Sequence, residues 1–176
     1  RRVTERPALH PPPKRARNPA MSNRHLNPVP LGATWRESAR RALVTETEGM
    51  QQLIAALEGP LGDALAQSVG LIRQARGRVV MTGMGKSGHI GRKIAATLAS
   101  TGTPALFVHP AEASHGDLGM IQPVDVVLAI SNSGESDELV SILPVLKRQG
   151  VPLIAMTGGL QSSLARHADV VLDCSV

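Results

Sequence analysis

The sequence predicts an α/β fold: a doubly wound, five-stranded parallel sheet in the order 2-1-3-4-5, preceded by N-terminal helices. Three observations lead there. Short apolar, β-branched runs recur at Val79–Thr82, Ala105–Val108, Val126–Ser131, Leu153–Thr157 and Val170–Leu172. Helical stretches at about 89–100, 137–149 and 160–168 lie between them, which is the rhythm of βαβ units. The run from Val126 to Ile130 is continuously apolar rather than alternating, as a central strand covered on both faces requires.

Ahead of the sheet, Ala39, Leu43, Met50, Leu53, Ile54 and Leu57 recur at helical steps within a stretch from Trp35 to Glu58. Gly59-Pro60 ends it. A second helix is expected over about 61–75, with Leu61, Leu65, Val69 and Ile72 on one face. Residues 1–31 are rich in Pro, Arg and Asn and have no apolar periodicity, so they are expected to form a disordered basic arm, with 32–176 as a single domain. Met21 is a candidate natural initiator for the chain.

Charge argues against nucleic acid as a partner. The net charge of +5 comes wholly from residues 1–20, which hold six Lys/Arg and one acid, so the remainder is neutral. Trp35 and Phe107 are the only aromatic residues, leaving almost no platform for base stacking. No apolar run approaches the roughly 20 residues of a membrane helix, so no membrane contact is expected. Cys174 is the sole cysteine, which points to a reducing compartment, and a cytoplasmic location is expected.

Chemistry concentrates in three segments after strands. Gly83-Met84-Gly85-Lys86-Ser87-Gly88 follows the first strand and satisfies the G-x-G-x-x-G spacing of dinucleotide sites. The acid that would hold a ribose hydroxyl is absent after the second strand, where His109-Pro110 stands. A P-loop is excluded because Val80 occupies the place of its first glycine. A single phosphate site fits better: a helix N-terminus with free N–H groups, the Ser87 hydroxyl and the Lys86 charge. An ordinary glycine-rich turn is the other account.

Ser131-Asn132-Ser133-Gly134-Glu135-Ser136 follows the third strand and offers hydroxyls, an amide and a new helix start to an anion. Taken alone, such a loop could equally be a helix cap. In a sheet of this order, the loops after strands one and three flank the crevice where the crossovers switch faces, and both polar loops fall there. The third segment, His109 to Leu118, carries two histidines, two acids and a serine. It reads as an acid–base cluster, a metal site or a solvated loop. Glu138 stands at the start of the following helix, where it could act in chemistry or only complement the helix dipole.

Four segments together carry a resemblance: Gly83 to His89, Ala99 to Pro104, His115 to Gly119 and Ile130 to Ser136. They resemble the sugar-isomerase (SIS) domain of the D-arabinose-5-phosphate isomerases, over roughly 35–176 and densely from 78. The resemblance implies interconversion of D-ribulose 5-phosphate and D-arabinose 5-phosphate, feeding Kdo and lipopolysaccharide synthesis, with no cofactor. It implies catalytic positions at Lys86, Glu138 and His115, with His109 and His115 lining the substrate site. It implies substrate and phosphate contacts at Gly85, Ser87, Ser131, Asn132, Ser133 and Ser136, and at Gly102-Thr103, the latter toward a neighbouring subunit of a homotetramer. Zinc at His109 is a further implication. The resemblance also places another catalytic glutamate and histidine, and two CBS repeats, beyond Val176, so the domain is expected to be C-terminally incomplete and to isomerise poorly or not at all.

Aldose–ketose isomerisation moves a proton between adjacent carbons through an enediol and needs a base, a group polarising the carbonyl oxygen and a phosphate anchor. Lys86 or His115 would polarise and Glu138 would carry the proton; alternatively the histidine beyond Val176 is the base and Glu138 only orients. Two other classes stay open: a non-catalytic SIS sugar-phosphate sensor, and a dinucleotide-binding oxidoreductase.

Overall fold

A computed structural model describes residues 34–175. The expected basic arm, residues 1–31, lies outside the described residues. The chain divides between Ala42 and Leu43, inside the first helix. That helix, α1 (Trp35–Ala56), begins with a reciprocal cap: Thr34 N–H donates to the Glu37 carboxylate at 2.7 Å, and Glu37 N–H donates to Thr34 Oγ1 at 3.2 Å. None of its residues is buried. Gly59 then separates α1 from α2 (Pro60–Gln74), which opens on the proline, where a missing N–H costs nothing.

The inward face of α2 differs from the one the periodicity suggests. Leu61, Ala64, Leu71 and Ile72 pack on the core, whereas Leu65 and Val69 stay 43% and 46% exposed. The buried stripe includes an alanine and a shifted leucine, so counting large residues alone rotates it.

Five parallel strands follow: β1 (Val79–Gly83), β2 (Ala105–Phe107), β3 (Val126–Ile130), β4 (Leu153–Thr157) and β5 (Val170–Asp173). Their order is β2-β1-β3-β4-β5, as the sequence predicts. β1 and β3 lie in register from Val79 against Val126 to Gly83 against Ile130, so they end level with each other. Both are buried along their full length, which is why β3 is continuously apolar and β1 is apolar except at Thr82 and Gly83.

One face of the sheet, with Val79, Met81, Leu128 and Ile154, is covered by α2 and by α3 (Gly85–Ser100). The other face, with Val80, Val127, Ala129 and Ala155, is covered by α4 (Pro110–Ser114), α5 (Asp137–Arg148) and α6 (Ser163–His167). Because α3 follows β1 on one side and α5 follows β3 on the other, the gap between those strands is the switch point.

The opposite end of the sheet is pinned by Asp125, 2% exposed, just before β3. It accepts from Arg78 N–H at 2.7 Å and Gln122 N–H at 2.9 Å, and the Arg78 guanidinium stands 3.5 Å away. Burial alone would raise its pKa. The backbone hydrogen bonds and the arginine outweigh that and hold the carboxyl below its ordinary value.

Candidate functional site

At the end of β1 the chain turns through Met84, which is extended, into Gly85 at φ +51, the first residue of α3. A left-handed φ favours glycine. Gly88 serves packing: a Cβ there would lie 2.6 Å from the Gly83 carbonyl oxygen, so α3 rests directly on the strand it follows. The helix starts four residues earlier than its apolar pattern shows, which puts Lys86 and Ser87 in its first turn. Lys86 is exposed and Ser87 half-buried. Met84, its N-cap residue, makes no side-chain capping hydrogen bond.

The second polar loop leaves β3 alongside. Ser131 is buried; its Oγ accepts from Gly134 N–H at 3.1 Å and lies 3.3 Å from Ser136 Oγ. Ser133 and Asn132 are exposed, and Ser133 Oγ accepts from Glu135 N–H at 3.3 Å. Ser136 occupies the N-cap position of α5, yet its side chain makes no capping hydrogen bond. In the same position before α6, Ser162 does cap, accepting from Ala165 N–H at 3.2 Å. The helix-cap account of the 131–136 loop therefore does not describe it. Two helix N-termini on either side of the switch point both lack a side-chain cap, and positive helix ends of that kind attract anions. Glu138, in the first turn of α5, is exposed.

After β2, the expected loop contains a helical turn. Pro110 opens α4, with His109 as its N-cap residue and His115 just past its end, and a 3-10 turn follows at Asp117–Met120. His109 is half-buried beside Phe107, ring centroids 6.4 Å apart, and its Nδ1 is buried with no partner among the described residues. His115 is exposed. Among the described residues no three His, Cys, Asp or Glu side chains gather into a metal site, so zinc at His109 would need ligands from elsewhere.

β1, β2 and β3 thus bring Gly85, Lys86, Ser87, His109, Ser131, Asn132, Ser133, Ser136 and Glu138 to one end of the sheet. Gly102 and Thr103 are not brought there. They lie in the turn from α3 into β2, at the other end of a 16-residue helix about 24 Å long.

The sequence reading missed the segment after β4. Thr157, Gly158 and Gly159 stand against the serine loop, and a cavity of about 460 Å³ opens there, lined by Asn132, Ser133, Gly158, Gly159, Cys174 and Ser175. Burial, and next the charge of Asp173, push the Cys174 thiol up in pKa, so it is a poor nucleophile. Nothing local in a Thr-Gly-Gly run marks it as part of a site.

A five-stranded parallel sheet in this order, with a serine loop and two helix N-termini at its switch point, defines a doubly wound α/β domain. Among such domains, this chain belongs to the SIS domain family, which matches residues 71–176. It is similar to "Arabinose 5-phosphate isomerase KdsD" of Pseudomonas aeruginosa, 55% identical over 139 residues, 79% of this chain and 41% of the relative. It is also similar to the protein of that name in Escherichia coli K12, 51% identical over 152 residues, 86% of this chain and 44% of the relative. The chain therefore spans less than half the length of these curated relatives. Among solved structures, an E. coli CFT073 protein in complex with arabinose 5-phosphate matches with a TM-score of 0.71 and 40% identity, over 82% of this chain and 76% of that one. The sugar isomerase domain of an RpiR transcription factor from Sphaerobacter thermophilus matches with a TM-score of 0.64 and 25% identity, over 75% and 74%. No described helix is long and apolar enough to cross a membrane.

Proposed function

We propose that this chain is the sugar-phosphate-binding part of an aldose–ketose isomerase that interconverts D-ribulose 5-phosphate and D-arabinose 5-phosphate. The observation that carries the reading is the pair of uncapped helix N-termini, α3 and α5, side by side at the ends of two strands in register. Their N–H groups, with the hydroxyls of Ser87, Ser133 and Ser136, suit a phosphate. Lys86 adds a full positive charge. The names of the curated relatives, at about half identity, support arabinose 5-phosphate as the sugar.

The chemistry is a proton transfer between adjacent carbons and moves no net electrons. Lys86 or His115 would stabilise the oxyanion of the enediol, and Glu138 would carry the proton or orient the group that does. His109, whose Nδ1 has no partner within the described residues, would line the sugar end of the site.

Gly102 and Thr103 would serve a neighbouring copy, since they lie at the far end of α3 from the crevice. The apolar side chains Leu43, Met50 and Ile54, each more than 60% exposed on α1, support a homo-oligomer, a tetramer in our reading. A cytoplasmic location accords with an enzyme of sugar phosphates.

The test is calorimetric titration and thermal shift of the purified chain with D-arabinose 5-phosphate and with NAD. Binding of the sugar phosphate and not of NAD is expected; the reverse would identify a dinucleotide domain. A second reading, a non-catalytic sugar-phosphate sensor, is favoured by the RpiR-type structural match. It predicts binding of the same ligand with no proton exchange into solvent at the sugar carbons.

A further inference from the structure

The serine loop does not hold its shape alone. Its outer side rests on the segment joining β4 to α6. The Asn132 carbonyl accepts from both Thr157 Oγ1 at 3.2 Å and Gly158 N–H at 3.1 Å. The Gly134 carbonyl accepts from Leu164 N–H at 3.1 Å. Thr157 Oγ1 in turn accepts from Gly159 N–H at 3.0 Å, which fixes the turn that faces the loop. There is no slack between the two segments. A Cβ on Gly159 would stand 2.5 Å from the Ser133 carbonyl oxygen.

One side chain of the loop crosses this seam. Glu135 Oε1 accepts from Ser163 N–H, the first residue of α6, at 2.7 Å. That hydrogen bond first, and the Arg166 charge as a lesser cause, hold its carboxyl below the ordinary value. Glu135 is the exception in residues 131–136. Its polar neighbours there are neutral and hydrogen-bond as a phosphate site needs, whereas a carboxylate facing the crevice would repel the anion. Bound to α6, it does not.

We propose that Glu135 is a positioning residue: by gripping Ser163 N–H it fixes the 131–136 loop in its anion-receiving shape and keeps its own charge away from the anion. This rests on the sugar-phosphate reading given above. Glu135 touches no ligand in this account and acts through Ser133, Ser136 and the start of α5.

The experiment compares the full chain with Glu135→Ala and Glu135→Gln, by amide hydrogen exchange without ligand and by calorimetric affinity for D-arabinose 5-phosphate. In Glu135→Ala, exchange at Ser163, Leu164 and Gly134 should rise and the Kd should weaken roughly three- to tenfold, the scale of one typical lost hydrogen bond. Glu135→Gln keeps an acceptor oxygen and should restore most of both, an outcome that loss of bulk or general destabilisation would not give. Unchanged exchange and affinity in Glu135→Ala would overturn the assignment, and so would a Gln variant as impaired as the Ala one. If the unmodified chain bound no sugar phosphate, the functional reading itself would fall, whatever the exchange showed.

Discussion

Replacing Gly134 by alanine should cost both stability and sugar-phosphate affinity, and the structure sets the size of the first. Gly134 sits at φ +67 in the middle of the serine loop. An L side chain held there costs about 1–2 kcal/mol. Space counts against the variant as well: the new Cβ would lie 2.1 Å from Ser162 Oγ and 2.5 Å from Ser162 Cβ. Ser162 cannot simply swing away, because its hydroxyl caps α6 by accepting from Ala165 N–H at 3.2 Å. Relief must come from moving the loop against the β4–α6 segment, and overpacking of that kind costs about 1–3 kcal/mol. The sum, about 2–5 kcal/mol, corresponds to a fall in melting temperature of roughly 5–15 °C for a chain of this size. Calorimetric melting and titration with D-arabinose 5-phosphate measure both effects. A Gly134→Ala chain melting within about two degrees of the original, with unchanged affinity, would refute the claim that the cradle depends on this contact.

Other consequences can be checked in the same way. Ser133→Ala combined with Ser136→Ala removes two hydroxyls that we propose hold the phosphate and should weaken binding by about 1–3 kcal/mol. Asp125→Ala strips the carboxylate from two backbone N–H groups and should cost about 2–4 kcal/mol, read from denaturant unfolding. Asp125 is more acidic folded than unfolded, so its contribution is complete above the unfolded pKa and disappears as pH falls through the folded one. The gap between the original chain and the alanine variant should therefore narrow below the ordinary carboxylate range; a gap that widened on acidification would contradict the assignment. A chain beginning at Trp35 should melt within about two degrees of the full one, as the lack of apolar periodicity in the sequence of 1–31 predicts.

The sheet was legible because burial on both faces demands unbroken apolar runs, and Val126 to Ile130 could belong to little else. Starts of helices were harder. Gly85 reads as loop by its propensity, but here its left-handed φ opens α3. Pro110 carried a usable signal, since proline at a first helical position marks a helix, and it turns the expected loop after β2 into α4. Thr34 and Glu37, three apart, were likewise a visible capping pair. The brace behind the serine loop had no such mark. Thr157, Gly159 and Ser162 gain their roles from partners some 25 to 30 residues away, and only the pairing of β3 with β4 brings those partners together.

What distinguishes the two serine-led helices is not the residue but the loop that presents it. Ser136 and Ser162 both stand at N-cap positions with extended backbones. Ser162 follows a turn tied down by Thr157, and its hydroxyl is left to satisfy α6. Ser136 ends a loop that Gly134 folds back on itself, which brings its hydroxyl to within 3.3 Å of Ser131 Oγ and away from the N–H groups of α5. Leaving those groups without a cap costs stability, typically about 1 kcal/mol for a missing N-cap bond. The cost is recovered when a ligand supplies the acceptor. A ligand carrying two negative charges gains more from these N–H groups than a serine hydroxyl could, because hydrogen bonds to charged acceptors are the stronger kind. The uncapped start of α5 is thus better understood as suited to an anion than as a defect. In the proposed reading, donors from this helix and from the equally uncapped α3 would meet one ligand, which favours a phosphate, with several acceptor oxygens, over a single carboxylate.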